Sequence, residues 1–152
     1  MDVCGLEELV RAFEEGTLPR ARWGHHEHVL VAVWYLERGE GVARIVKGIQ
    51  AYNASHGIAQ MPDGGYHDTL TRFLSAGIEA FLRALPEGVG VAARADAAAR
   101  AFGAMREDVL TYYSREVIGA WEARTGWVAP DVGSMAAWRE ECRRRAVRSG
   151  AT

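Results

Sequence analysis

Apolar residues recur every three or four positions in one segment after another of this chain, and glycine and proline separate the segments. Leu6, Leu9, Val10 and Phe13 draw the first stripe, which Gly16-Thr-Leu-Pro19 ends. Leu70, Leu74, Ile78, Phe81 and Leu85 draw a longer one, halted by Pro86. That spacing places side chains on one face of an α-helix, whereas alternation of period two would mark a strand. No such alternation of β-branched residues is present. The pattern predicts an all-α fold, an up-and-down helical bundle with additional C-terminal helices.

The other segments follow the same reading. A helix is expected from about Gly24 to Glu37, stopped by Gly39-Glu-Gly41. The next carries Val42, Ile45, Val46 and Ile49 and ends near His56-Gly57. Alanine-rich sequence from about Val91 to Tyr113 reads as one continuous helix, faced by Ala98, Phe102, Met105 and Val109. Ser114 to Trp127 reads as a shorter helix plus a turn, Pro130-Asp131 breaks the chain, and a polar helix covers roughly Ser134 to Arg148. A chain of 152 residues is long enough for one self-sufficient core. The expected division is a bundle core with the site over 1–130 and a polar helix and tail over 131–152.

Charge and composition narrow the function classes. Hydrophobic residues make up 49% and charged residues 25%, and the formal charge is −2. Such a balance gives no electrostatic reason to expect nucleic acid or an anionic membrane as partner. No apolar run approaches the roughly 20 residues that span a bilayer. The start, Met-Asp-Val-Cys-Gly-Leu-Glu-Glu, lacks the basic and apolar regions of a signal peptide, so a cytoplasmic location is expected. Cys4 and Cys142 lie far apart and neither belongs to a Cys-x-x-Cys pair. Free thiols are expected, and no thiolate zinc site.

The chemistry gathers around histidine. Trp23-Gly-His-His-Glu-His28 leads directly into the apolar stretch Val29–Leu36. At about 100° per residue, His25, His28, Val29, Ala32 and Leu36 share a face, while Glu27, Leu30 and Trp34 lie opposite. His67, in Gly64-Gly-Tyr-His-Asp-Thr-Leu-Thr71, shares a face with Leu70, Thr71, Leu74 and Ile78. Short links between the second, third and fourth helices favour antiparallel neighbours. The starts of the second and fourth helices then share one end of the bundle with Asn53 and His56, and with Tyr112, Tyr113 and Ser114. His26 and His56 are expected at the surface.

Two imidazoles at i, i+3 and one from a facing helix can form a three-histidine mononuclear site with an open position. His25, His28 and His67 are the candidate ligands, and one divalent transition metal (Zn, Fe or Cu) is the candidate cofactor. Tyr113 and Asp68 are the candidate catalytic groups. Tyr66, Thr71, Glu27 and Asp131 are candidates for contacting substrate or orienting the ligands. On this reading the chain is a metal-dependent enzyme acting on a small molecule. Two alternatives use the same pocket: a metal-free helical protein that binds a small ligand, and an acid–base enzyme using a histidine with Asp68 or a tyrosine. The His-Glu-x-x-His, Glu-x-x-His and Gly-x-Ser-x-Gly patterns are absent. Glu79, Glu107 and Asp108 read as solvated faces, and Arg143–Arg145 with Arg148 as a solvated helix end.

The chain resembles an uncharacterised family of small bacterial all-helical proteins. That family has a Trp-Thr-His-x-x-His segment, a Tyr-His-Glu-Thr-Leu-Thr segment, a Tyr-Ser pair and a Trp-Val-x-Pro-Asp end. The matching residues are Trp23, His25 and His28, Tyr66-His67-Asp-Thr-Leu-Thr71, Tyr113-Ser114 and Trp127-Val-Ala-Pro-Asp131, together with Phe13 in the first helix. Gly24 stands where the family has Thr, and Asp68 where it has Glu. The resemblance selects His25, His28 and His67 over His26 and His56, and it implies no particular activity.

Overall fold

The computed structural model describes all 152 residues. It contains nine α-helices and no strand: α1 (Val3–Glu15), α2 (His25–Glu37), α3 (Gly41–Ser55), α4 (Asp68–Ala84), α5 (Val91–Ala101), α6 (Met105–Tyr112), α7 (Arg115–Gly119), α8 (Trp121–Thr125) and α9 (Met135–Ser149). The fold is all-α, as the apolar periodicity predicts. No helix is long and apolar enough to cross a membrane.

Helix α2 is the centre of the bundle and packs on α1, α3, α4 and α5. Its run Val29–Val33 is buried without a break, Leu30 included, so the opposite face of the helical wheel is here a second buried face. A helix apolar all round belongs inside a core. Its first turn is fixed by Glu27, whose carboxylate accepts a hydrogen bond from the Gly24 N–H at 3.1 Å.

Two expectations are corrected. The alanine-rich segment is two helices, α5 and α6, because the chain leaves helical geometry at Phe102-Gly103-Ala104. Glycine inside a helix costs about 1 kcal/mol relative to alanine. The Phe102 ring is anchored edge-on against Phe81 and Trp138, which fixes where the break falls. Ser114–Trp127 likewise forms two short helices that meet at Ala120.

The C-terminal helix is more than a polar tail. Helices α4 and α9 form the most extensive helix pair of the fold. Trp138 is fully buried and stacks on Phe73 at 4.6 Å, and its indole N–H donates to the Phe73 carbonyl at 2.9 Å. Gly77 makes this approach possible, since a Cβ there would lie 2.6 Å from the indole. Cys142 and Ala146 continue the buried stripe. Arg145 reaches inward and clamps Asp108 with two hydrogen bonds, at 2.6 and 2.9 Å. Asp108 is therefore a buried, paired carboxylate and not part of a solvated face, and Arg145 is not part of a solvated helix end. Cys4 is exposed and Cys142 buried, and both are free.

Candidate functional site

The starts of α2 and α4 and the end of α3 converge, as the short links predict, around a cavity of about 410 Å³. That volume lies in the range of small-molecule sites, about 300–1,000 Å³. Val29 and Ala32 line it from α2, Ile45, Ile49 and Asn53 from α3, and Leu70, Thr71, Leu74, Ser75 and Ile78 from α4. His25, His28, Tyr66 and His67 stand with Asn53 at its polar end, beneath Trp23. Trp23 lies over His28 with ring centroids 3.8 Å apart.

Each of the three histidines is tied to backbone. His25 Nε2 is 2.6 Å from the Phe102 carbonyl oxygen, which the break after α5 sets free from helical bonding. His28 Nδ1 is 2.7 Å from the Gly24 carbonyl, and His67 Nε2 is 2.9 Å from that of Ile118. A carbonyl only accepts, so the facing ring nitrogen carries the proton in all three rings. The remaining nitrogens differ. His67 Nδ1 accepts the Leu70 N–H at 3.2 Å and so serves as the N-cap of α4. His28 Nε2 keeps its lone pair unspent, and His25 Nδ1 has no partner in the protein. Burial lowers the pKa of His28 and of His67 below the ordinary histidine value, more than their backbone hydrogen bonds raise it. Both are neutral at pH 7.

These bonds bear on the expected metal centre. No group of three or more His, Cys, Asp or Glu side chains is set to hold a metal ion. Of the three candidate ligands, His67 has no ring nitrogen left over.

The other expected residues separate into two sets. Tyr66 and Thr71 line the cavity. The Tyr66 hydroxyl donates to Asp68 at 2.6 Å, and burial followed by that carboxylate raises its pKa. Thr71 donates to the His67 carbonyl at 2.8 Å. Asp68 stands behind the wall, its second oxygen taken by Arg72 Nε at 2.9 Å. Glu27 stands outside the lining as the cap of α2.

Tyr113 does not reach the cavity. The segment after the break at Phe102 gives the cavity Met105, and the break gives His25 the Phe102 carbonyl. Tyr113 instead reaches the start of α4 on the side away from the cavity, beside Val128, which is bonded to Thr69. Tyr113 is buried edge-on against Phe73 at 5.4 Å and donates to the Val128 carbonyl at 2.6 Å. Burial pushes its phenol up to about 12. Asp131 is exposed and accepts the Ser114 N–H at 2.8 Å, which holds its carboxyl below the usual range. The cap of α9 is Ser134. His26 is exposed as expected, whereas His56 is half-buried, stacked on Tyr52 at 4.2 Å and bonded to the Gly16 carbonyl at 2.9 Å.

The floor of the polar end is held from outside. Arg124 donates to the Gly64 and Gly65 carbonyls, both at 3.1 Å, and Gln60 joins the Tyr66 carbonyl to that of Arg124. Gly65 has φ +78°, and a Cβ there would overlap the Ala59 carbonyl, so only glycine fits this turn.

Two lining residues stand outside the expected set. Asn53 is 9% exposed and Ser75 is 3% exposed, yet neither side chain has a hydrogen-bond partner in the protein. The one buried side-chain polar atom both sealed and unpaired is the Tyr35 hydroxyl. The polar atoms of Asn53 and Ser75 therefore open onto the cavity. A sequence signal for both exists: Asn53 continues Ile45 and Ile49 at steps of four, and Ser75 continues His67 and Thr71. No Asp, Glu or Lys lines the cavity, and its single arginine, Arg20, is an exposed residue.

Compared with protein-family models, with curated proteins and with solved structures, the chain matches none. What the site can do follows from its own geometry.

Proposed function

We propose that this protein binds a small organic molecule in the α2–α3–α4 cavity, using His28 as a neutral hydrogen-bonding group. One observation carries the reading: His67 spends both ring nitrogens on backbone, while His28 keeps an uncharged Nε2 in a largely apolar cavity of about 410 Å³. The apolar walls supply affinity, and the few polar groups fix orientation. A neutral imidazole accepts a hydrogen bond from a bound hydroxyl or N–H, and it is also in the protonation state a general base needs. A three-histidine metal centre would require His67 to surrender either the cap of α4 or its bond to Ile118.

The test is a fragment screen by ligand-observed NMR on untagged protein, wild type beside Ala32→Leu, with metal content measured on the same samples. Ala32 is buried and lines the cavity, so leucine there occupies ligand space. Fragments that bind the wild type and not the filled variant are the expected result. Binding that ignores the filling, or no binding at all, would overturn the reading. Near-stoichiometric metal that is lost in His67→Ala would replace it with the metal centre.

A further inference from the structure

We infer that the compound this cavity takes is uncharged and carries hydrogen-bonding groups at two separated ends, with His28 and Asn53 meeting one end and Ser75 the other. The inference rests on the small-molecule reading above and narrows it to a class of ligand.

Charge is the first constraint. With no carboxylate in the lining, a bound ammonium group has no counter-ion, and burying an unpaired charge is costly. An anion would face the lowered-pKa imidazoles of His28 and His67, an amide and hydroxyls, with only the exposed Arg20 to balance it.

Depth is the second constraint. A helix rises about 1.5 Å per residue, so Ser75 lies roughly 12 Å along α4 from His67 and about 6 Å beyond Thr71. Asn53 is near the end of α3 that meets the starts of α2 and α4, and the residues beyond it toward the interior are Ile49 and Ile45. The polar end thus holds His28, Asn53 and Thr71, whose hydroxyl proton is given to the His67 carbonyl. Apolar side chains follow, and Ser75 is a single unbonded hydroxyl placed among Leu74 and Ile78.

Ser75 is unusual in its own right. A serine inside a helix ordinarily bonds the carbonyl four residues back or points to solvent. Ser75 is 3% exposed and makes no such bond, so its hydroxyl is left for something in the cavity. Asn53 offers a donor and an acceptor, and His28 Nε2 offers an acceptor. A ligand hydroxyl satisfies both, donating to His28 and accepting from Asn53. A ring or short chain then spans the apolar stretch, and a second hydroxyl or carbonyl reaches Ser75.

Four probes on one scaffold separate these features: 2-(4-hydroxyphenyl)ethanol, 4-ethylphenol, tyramine and 4-hydroxyphenylacetate. Each is titrated calorimetrically against the full chain, wild type and Ser75→Ala, with a melting curve to confirm folding. The two-hydroxyl compound is expected to bind about 3- to 10-fold more tightly than 4-ethylphenol. Ser75→Ala is expected to erase that difference while leaving 4-ethylphenol unchanged. The ammonium and carboxylate analogues are expected to bind at least about 10-fold more weakly. Equal affinity for the charged probes, or a Ser75→Ala effect that is absent or the same for all four, overturns the inference and leaves the small-molecule reading standing. Failure of all four to bind also overturns the inference, and the fragment screen with Ala32→Leu then decides the small-molecule reading separately.

Discussion

Helix α4 has two faces with opposite characters. Toward α9 it is packed solid: Phe73 and Trp138 stack at 4.6 Å, the indole N–H is bonded, and Gly77 leaves no room for even a methyl group. Toward α2 and α3 it borders a cavity of about 410 Å³ into which Ser75 opens an unspent hydroxyl. Protein interiors are normally as dense as organic crystals, and buried polar groups are normally paired. The α9 side obeys both rules and the cavity side breaks both, on residues two positions apart in the same helix. A core able to close so tightly on one face has a reason to stay open on the other. The proposed binding of a small molecule supplies that reason.

The contrast can be broken most forcefully at Trp138. Trp138→Ala removes the centre of the packed face and is expected to cost about 3–5 kcal/mol, read as a lower urea midpoint. A loss below about 1 kcal/mol would mean the α4–α9 seam is looser than its geometry.

A matched pair sharpens the comparison further. Gly77→Ala drives a methyl into the indole and is expected to destabilise by about 1–3 kcal/mol. Ala32→Leu adds more volume, but into free space, and is expected to stay within about 1 kcal/mol of wild type. Equal losses from the two would show that the cavity side is as full as the other.

A smaller effect is expected from pH. His28 and His67 have folded-state pKa values lowered by burial, against about 6.5 in the unfolded chain. The unfolded chain therefore binds more protons below that value. Stability is complete above pH 7 and falls as pH drops through about 6.5, by at most about 1.4 kcal/mol per pH unit for each group. A protonated His67 Nδ1 could no longer accept the Leu70 N–H, so α4 would lose its cap. Urea midpoints between pH 8 and pH 5 read this directly, and a midpoint that rises on acidification would contradict it.

The bundle and the meeting of its histidines were legible because apolar periodicity and short links are local signals with few solutions. His25, His28, His67, Tyr66 and Thr71 all line the cavity. Tyr113 reaches the expected end of the bundle but on the α9 side of α4, a choice of face that helical spacing alone does not decide. Asp108 and Arg145 looked solvated because each is charged, and only tertiary structure brings them together across 37 positions. The use of each imidazole nitrogen was not legible either. It depends on carbonyls of Phe102 and Ile118, which any residue type at those positions would supply. Asn53 and Ser75 did carry a pattern, a polar residue on an apolar stripe, but that pattern gains weight only once a cavity lies beside it.

The most direct test of the account is a long-range proton–nitrogen correlation spectrum of the imidazole rings at pH 7, recorded before and after adding Zn²⁺. The expected spectrum has neutral His28 protonated on Nδ1 and neutral His67 protonated on Nε2, and zinc leaves the His67 nitrogens where they were. Zinc-induced shifts at His25, His28 and His67 together would contradict the account, and would make this end of the bundle a metal centre.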